Sequence, residues 1–206
     1  MNLPTAISVL GLACYSALIY VVLSSSQSAE KRIRRRFLGS LIVMVAWQIS
    51  ALVVSLTRSE QVAIVGYQAM SAIVSIFGVR YVHFVRAFLG KQSSRRWVLG
   101  GAALCIGTLV FLLIGRAGII ESVYWNSATH FYIPRFGPFL PVIAVPYSLI
   151  LIYVAIMLLQ GYRAAQSPLG RKRILYLLIG WCVVVLGMLA NLVPSLKPYP
   201  MDLTAN

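Results

Sequence analysis

Acidic side chains are scarce in this sequence, which contains 4 Asp and Glu residues against 18 Lys and Arg residues. The four acids are Glu30, Glu60, Glu121 and Asp202, and each stands in a polar connection outside the apolar runs. The sequence therefore lacks the paired carboxylates of acid–base catalysis and the intramembrane carboxylate typical of proton relays and ion-coupled carriers. These absences argue against a pump or a secondary transporter.

Other chemical motifs are also missing. The three cysteines, Cys14, Cys105 and Cys182, fall in separate apolar runs, so the sequence shows neither a disulfide framework nor a metal site with close ligand spacing. It contains no Gly-rich phosphate loop, no HExxH and no GxSxG pattern. We therefore expect no enzymatic activity, no cofactor and no metal.

What the sequence does contain is apolar side chains. Hydrophobic residues make up 60% of the 206 positions and charged residues 11%, and the mean hydropathy is +0.85. A water-soluble protein of this size could not cover so much apolar surface. Because one bilayer-spanning helix needs about 20 apolar residues, the chain has room for six or seven spans and short connections, without a separate soluble domain.

Six apolar runs are long enough to cross a bilayer as helices. They lie at residues 3–24, 37–56, 62–84, 97–115, 139–161 and 174–196, with a long connection at 116–138. The first run is too long for a secretory signal core and has no small-residue cleavage site, so we expect it to be retained. The sequence predicts an all-α membrane protein, a polytopic bundle of six transmembrane helices in a single domain over residues 1–206.

The cations are distributed very unevenly between the two sides of these spans. Segments 24–37, 86–97 and 162–173 together hold thirteen of the 18 Lys and Arg residues. Because cations collect in cytoplasmic loops, these segments are predicted to be cytoplasmic, and both termini and the 116–138 connection exterior. The cations expected beside anionic headgroups are Arg34, Arg35, Arg36, Arg95, Arg96, Arg171, Lys172 and Arg173. Lipid accounts for these clusters, and we expect no nucleic-acid partner.

Three basic residues stand near the cytoplasmic end of the third run, in "FGVRYVHFVRAFLG". Arg80, His83 and Arg86 are spaced to share one helix face. They form either a gate or effector-docking stripe, or side chains that snorkel to the headgroups. Mid-helix Gln48 and Asn191 are expected to hydrogen-bond between helices, and Pro141 and Pro146 either bend the fifth run around a cavity or serve packing.

The connection "RAGIIESVYWNSATHFYIPRFGPF" is much longer than a helix–helix junction requires. Aromatic and β-branched residues flank the turn candidate Asn126–Ser127, which predicts a small β-hairpin over the bundle mouth. The hairpin is either a lid for a small apolar or aromatic ligand, with His130 as a pH-sensitive element, or an aromatic belt at the headgroups. The candidate ligand site comprises Tyr124, Trp125, His130, Phe131, Tyr132, Tyr147 and Asn191.

Several pieces occur in a characteristic order: "RYVHFVRAFLGK", "PRFGPF" followed by Tyr147, "GRKRILYLLIG", and "ANLVP" with "YPMDLTAN". On these pieces the chain resembles the N-terminal seven-transmembrane region of bacterial sensor histidine kinases and some diguanylate cyclases, aligned to the first six of the seven helices. The resemblance implies an input module whose seventh helix would begin just after "DLTAN" and lead to a cytoplasmic effector. The chain is then expected to be either a shortened sensor or a stand-alone descendant.

Three functions remain open from the sequence. The first is a non-catalytic sensor-like module for signal input or ligand binding, and the second is an accessory subunit of a larger membrane complex. The third is a small transporter or channel, which is supported only by the span count and the proline-bearing fifth run. The expected partners are anionic membrane lipids, together with other membrane subunits or a second copy of the chain.

Overall fold

The computed structural model describes residues 3–24, 31–91, 100–103, 106–107, 119–127 and 130–196, with side chains described except at 3–4, 184 and 187–196. These residues contain five long helices and one two-stranded sheet. The helices are α1 Leu3–Ser24, α2 Lys31–Leu56, α3 Glu60–Phe88, α4 Leu140–Ala164 and α5 Pro168–Leu196, and the strands are β1 Ile120–Asn126 and β2 Phe131–Phe136.

Four helices are long and apolar enough to cross a bilayer, at Thr5–Ser24, Lys31–Leu56, Glu60–Phe88 and Leu140–Ala164. Their outward faces carry large apolar side chains, such as Leu10 at 66% exposed and Leu149 at 61% exposed. A surface of this kind suits lipid rather than water. Helix α5 covers the sixth predicted span, whereas the fourth predicted span, 97–115, lies largely outside the described residues, with 100–103 and 106–107 helical. The number of six spans stays a prediction.

Helix ends and predicted span ends differ in an informative way. The first predicted span coincides with α1, but α2 begins at Lys31 rather than 37, α3 ends at Phe88 rather than 84, and α5 begins at Pro168 rather than 174. Hydropathy measures only the apolar part of a helix, and a 29-residue helix is about 43 Å long, well beyond a hydrocarbon core of about 30 Å. The extra turns therefore carry polar and basic residues.

The helices pack in chain order. Contacts run from α1 to α2, from α2 to α3, from α3 to α4 and from α4 to α5. We call the end where α2 and α5 begin and α3 and α4 finish the basic end, and the opposite end the hairpin end. The larger apolar core lies toward the basic end, with Val85, Val154 and Leu158 fully buried in it.

Aromatic side chains join the helices within this core. The rings of Tyr81 on α3 and Trp181 on α5 stack with centroids 4.7 Å apart and an interplanar angle of 8°. Phe37 on α2 meets Phe84 on α3 at 4.9 Å. Aromatic contacts of this kind add to the stabilisation from packing itself. Helix α3 thus contacts α2, α4 and α5, whereas α1 packs on α2.

Small and polar residues bring the first two helices together. Thr5 Oγ1 donates a 3.1 Å hydrogen bond to Ser55 Oγ, with both residues buried. The amide of Gln48 on α2 occupies the space that a side chain at Gly11 of α1 would fill. Gln48 thus lies at the contact between α1 and α2, and its interhelical hydrogen bond stays a prediction, whereas the side chain of Asn191 lies outside the described residues.

The predicted β-hairpin is confirmed. Strands β1 and β2 pair antiparallel, with Trp125 opposite Tyr132 and Ser122 opposite Arg135, and a bulge between Ile120 and Ser122. His130 adopts a positive φ of 54° in the turn, and its backbone N–H donates to the carbonyl oxygen of Asn126 at 2.8 Å. A positive φ is uncommon outside glycine, with histidine, asparagine and aspartate as the more tolerant residues.

Candidate functional site

The hairpin rests on α3 through a second, smaller apolar cluster. Ile119, Ile120 and Val123 are buried together with Ala63 of α3. Around them pack Ile64, Tyr67, Tyr132, Phe136 and Ile143. Ala63 has no side chain beyond Cβ, so the strand can approach the helix closely. The hairpin is therefore docked on the helices instead of projecting freely from them.

Two tyrosine hydroxyls fix the position of the docked hairpin. The hydroxyl of Tyr67 on α3 donates a 2.7 Å hydrogen bond to the carbonyl oxygen of Tyr132. The hydroxyl of Tyr132 in turn donates 2.9 Å to the carbonyl oxygen of Arg58, in the connection between α2 and α3. The base of the hairpin is closed by a 2.9 Å bond from the N–H of Gly137 to the carbonyl of Ile119.

The outer part of the hairpin carries an aromatic group that we call the Trp125 cluster, consisting of Trp125, His130 and Tyr132. Trp125 lies edge-on to Tyr132 with ring centroids 5.2 Å apart, and 6.5 Å from the imidazole of His130. The indole is 44% exposed. An exposed indole beside an imidazole offers a flat apolar surface together with hydrogen-bonding nitrogens, which suits small aromatic or apolar molecules.

The structure brings together only part of the predicted ligand site. Tyr124 and Phe131 lie on the same hairpin as the Trp125 cluster and are half-buried. Tyr147 lies elsewhere, buried where α3 crosses α4, with its ring 3.1 Å from the position that a Cβ on Gly78 would occupy. It is one turn from Ile143, which packs under the hairpin. Asn191 lies in α5, and its side chain is outside the described residues.

Sequence reasoning missed two participants, Tyr67 and Arg58. Tyr67 is a polar aromatic residue near the start of an otherwise apolar helix. A polar side chain at this position could have indicated a partner in the 116–138 connection. Arg58 contributes only its backbone carbonyl, which no residue pattern could reveal.

Pro141 and Pro146 take different positions in α4. Pro141 stands in the first turn, where proline removes no helical hydrogen bond, and Pro146 lies inside the helix. Beside Pro141 runs a shallow apolar groove on the outward face of α4, lined by Leu140, Pro141, Ala144, Val145, Ser148 and Leu149. Its residues come from one helix, so it is a surface feature and not an enclosed ligand cavity.

At the basic end, arginines bridge neighbouring helices. Arg36 Nη1 of α2 donates a 2.8 Å hydrogen bond to the backbone carbonyl of His83 on α3. Arg86 Nη1 of α3 donates 3.1 Å to the hydroxyl of Tyr153 on α4. Among the other predicted headgroup cations, Arg35, Arg171, Lys172 and Arg173 are exposed, Arg34 is half-buried, and Arg95 and Arg96 lie outside the described residues.

The sequence matches a family model described as the N-terminal 7TM region of histidine kinase, over residues 6–205. The chain belongs to this family. The match confirms the resemblance drawn from the ordered sequence pieces. No curated protein and no solved structure is significantly similar to the chain.

Membership of the histidine kinase 7TM family gives the geometry a context. Such a region is the membrane-embedded input part of a sensor, and the apolar helices of this chain agree with membrane localisation. The docked hairpin and the bridged basic end thus lie at opposite ends of α3 in a membrane sensor module.

Proposed function

We propose that this chain is a non-catalytic signal-input module that binds a small apolar or aromatic ligand at the hairpin end. The observation that carries the proposal is the hydrogen bond from Tyr67 to the backbone of Tyr132. It ties the strand that bears part of the Trp125 cluster directly to α3. A ligand that displaces the hairpin therefore acts on a helix that reaches the other end of the bundle.

The proposed signal path runs along α3, from the hairpin end to the basic end. Helix α3 is 29 residues long, with Tyr67 near one end and Arg86 near the other. At that second end, α3 is held to α2 by Arg36 and to α4 by Tyr153. A ligand shifts the equilibrium between two arrangements only as far as it binds them differently. A ligand that contacts the Trp125 cluster in only one position of the hairpin would bind the two arrangements with different affinities.

The wider ligand site is proposed to include Tyr124, Phe131, Tyr147 and Asn191. We also propose that the hairpin end faces the cell exterior and the basic end the cytoplasm, with six spans in a bacterial inner membrane. The support for this orientation is the concentration of thirteen of the 18 cations in three loops on one side.

Ligand-dependent thermal shift of the detergent-solubilised full chain tests the proposal. The panel consists of small apolar and aromatic compounds, and we expect at least one to raise the unfolding temperature. W125A should abolish that shift because the exposed indole is the main contact surface. Y20L is the matched control, since Tyr20 is an exposed aromatic residue of α1, and it should leave the shift intact. Indifference of the unmodified chain across a broad panel would contradict the proposal.

An accessory role in a larger membrane complex is the second candidate. The observation that favours it is Gly180 on α5, around which no described atom lies within 4 Å of a built Cβ. Open glycines on a helix surface allow close approach of another transmembrane helix. Purification in a mild detergent should then recover a stoichiometric membrane partner that G180L releases. Recovery of the chain alone would exclude this role.

A further inference from the structure

Arginine and histidine side chains converge at the seam between α2 and α3, toward the basic end. The guanidinium Nη1 of Arg80 lies 3.4 Å from the position that a Cβ on Gly39 would occupy. One turn nearer the basic end, Arg36 reaches across the same seam to the carbonyl of His83. His83 lies within electrostatic range of Arg36, Arg80 and Arg86. We call these four residues the seam cluster.

Two arginines of the seam cluster are held in place by hydrogen bonds between helices. Gly39 of α2 faces the Arg80 guanidinium across the seam, and a Cβ at position 39 would stand in van der Waals contact with it. Arg36 is fixed by its bond to α3 and Arg86 by its bond to Tyr153 of α4. Guanidinium groups positioned in this way lose less conformational freedom on meeting an anion than free surface side chains do.

The described residues place no acidic group near this cluster. Glu60 begins α3, at its far end, and Glu121 lies in the hairpin, where it pairs with Arg135 at 3.4 Å. The positive charges of Arg36, Arg80 and Arg86 repel one another, and the repulsion is stronger where water is scarce. A bound anion would reduce this repulsion.

The depth of the cluster indicates what kind of anion can reach it. Arg80 stands eight residues before the end of α3 and Gly39 eight residues after the start of α2, which is about 12 Å inside each helix end. Arg80 is exposed on the bundle surface at this depth. A charged side chain within a membrane-spanning helix is costly unless it meets an anion or water. A long arginine side chain can reach the boundary between the hydrocarbon core and the headgroups. The anion available there is the phosphate of a lipid headgroup.

We propose that Arg80 and Arg36, with the charge of Arg86 behind them, form a specific binding site for the phosphate group of an anionic membrane lipid. Guanidinium groups suit this ligand because their paired N–H donors match phosphate oxygens. The site differs from the general attraction of basic loops to anionic headgroups, because Arg36 is fixed between two helices and Arg80 lies against the same seam.

The test is lipid binding to the purified full chain in a neutral detergent, followed by native mass spectrometry and thermal stabilisation. The probes are phosphatidylglycerol, phosphatidylcholine with the same acyl chains, and inorganic phosphate. We expect preferential binding of phosphatidylglycerol, and R80Q should weaken it about tenfold, the effect of losing one charge-assisted contact. G39L should weaken it as well without changing the net charge, because the leucine displaces the Arg80 guanidinium.

R163Q is the matched control, since Arg163 is an exposed cation at the basic end of α4, away from the seam. It should leave the affinity for phosphatidylglycerol essentially unchanged. Equal weakening by R80Q and R163Q would show general surface attraction and overturn the proposal. Equal binding of the two lipids, or full stabilisation by inorganic phosphate alone, would overturn it too. Because R80Q alters an exposed side chain, it is expected to fold, and circular dichroism verifies this.

Discussion

Tyr67 and Tyr132 are sixty-five residues apart in sequence, and the hydroxyl of the first donates a 2.7 Å hydrogen bond to the backbone carbonyl of the second. Tyr132 then continues the chain of bonds through its own hydroxyl to Arg58. One side chain of the hairpin thus serves both as a member of the exposed Trp125 cluster and as an anchor to the helices. In the proposed function, Tyr132 is the residue that would link ligand binding at the cluster to movement of the helices.

Removal of the Tyr67 hydroxyl should loosen the hairpin without unfolding the bundle. Y67F deletes one hydrogen bond, which contributes about 1 kcal/mol, and the phenyl ring keeps the apolar contacts. Hydrogen exchange at the hairpin amides, including the bonded N–H of His130, should accelerate about fivefold. The control Y162F removes a hydroxyl from an exposed tyrosine at the end of α4. Equal exchange in Y67F and the unmodified chain would show that this bond does not hold the hairpin.

The crossing of α3 and α4 should be intolerant of a side chain at position 78. A Cβ on Gly78 would already lie 3.1 Å from the ring of Tyr147 and 3.3 Å from a methyl carbon of Ile150. G78L should therefore destabilise the protein by about 1–3 kcal/mol, the usual cost of overpacking. G180L is the comparison, because the space around Gly180 is open among the described residues. Equal midpoints for the two variants in denaturing detergent would be evidence against this close packing.

The buried hydroxyl pair between α1 and α2 allows a direct measurement of one interhelical bond. Thr5 donates to Ser55, which itself donates 2.9 Å to the carbonyl of Leu52. A double-mutant cycle of T5V and S55A should give a coupling energy of about 0.6 kcal/mol, the average for such bonds in membranes. Reversible unfolding in mixed micelles provides the four free energies. Strictly additive effects of the two substitutions would mean that the pair is not coupled.

Trp181 should be the most sensitive aromatic position of the larger core. Its indole is buried and stacks on Tyr81, so W181A should cost about 3–5 kcal/mol of stability. W181F retains an aromatic ring and should cost less. The matched control is W125A, because Trp125 is an exposed indole. Thermal unfolding followed by circular dichroism should rank the three variants in that order of damage, and a W125A loss as large as that of W181A would contradict the assigned core.

Hydropathy predicted the positions of the helices better than their ends or faces. It located α1 at Leu3–Ser24, because there the apolar run and the helix coincide. It placed the start of the second span six residues after Lys31, because the first turns of α2 are basic rather than apolar. It could not separate Leu158, which is fully buried, from its neighbour Leu159, which is 44% exposed. In a membrane both inward and outward faces are apolar, so periodicity carries little information about packing.

The candidate site shows the same division. The turn at Asn126–Ser127 and the aromatic residues on either side predicted the hairpin because turn and strand preferences act locally. The contact of Tyr132 with Tyr67 depends on how β2 docks against α3, and no local pattern contains that information. The sequence groups Tyr147 with the hairpin residues, yet its ring packs closely against Gly78 across the crossing of α3 and α4. Distances between separate elements are set by the packing of the whole bundle.

The connection between α2 and α3 consists of only Thr57, Arg58 and Ser59. Two helices joined so closely can meet as soon as both have entered the bilayer, since little chain has to be ordered to bring them together. The hairpin lies much later in the chain, and its anchors at Arg58 and Tyr67 belong to that early pair. The surface on α2 and α3 that receives the hairpin can therefore form before the hairpin itself is synthesised. An error in the assembly of α2 and α3 would therefore leave the hairpin without its anchors. An error in the hairpin itself would leave the α2–α3 pair intact.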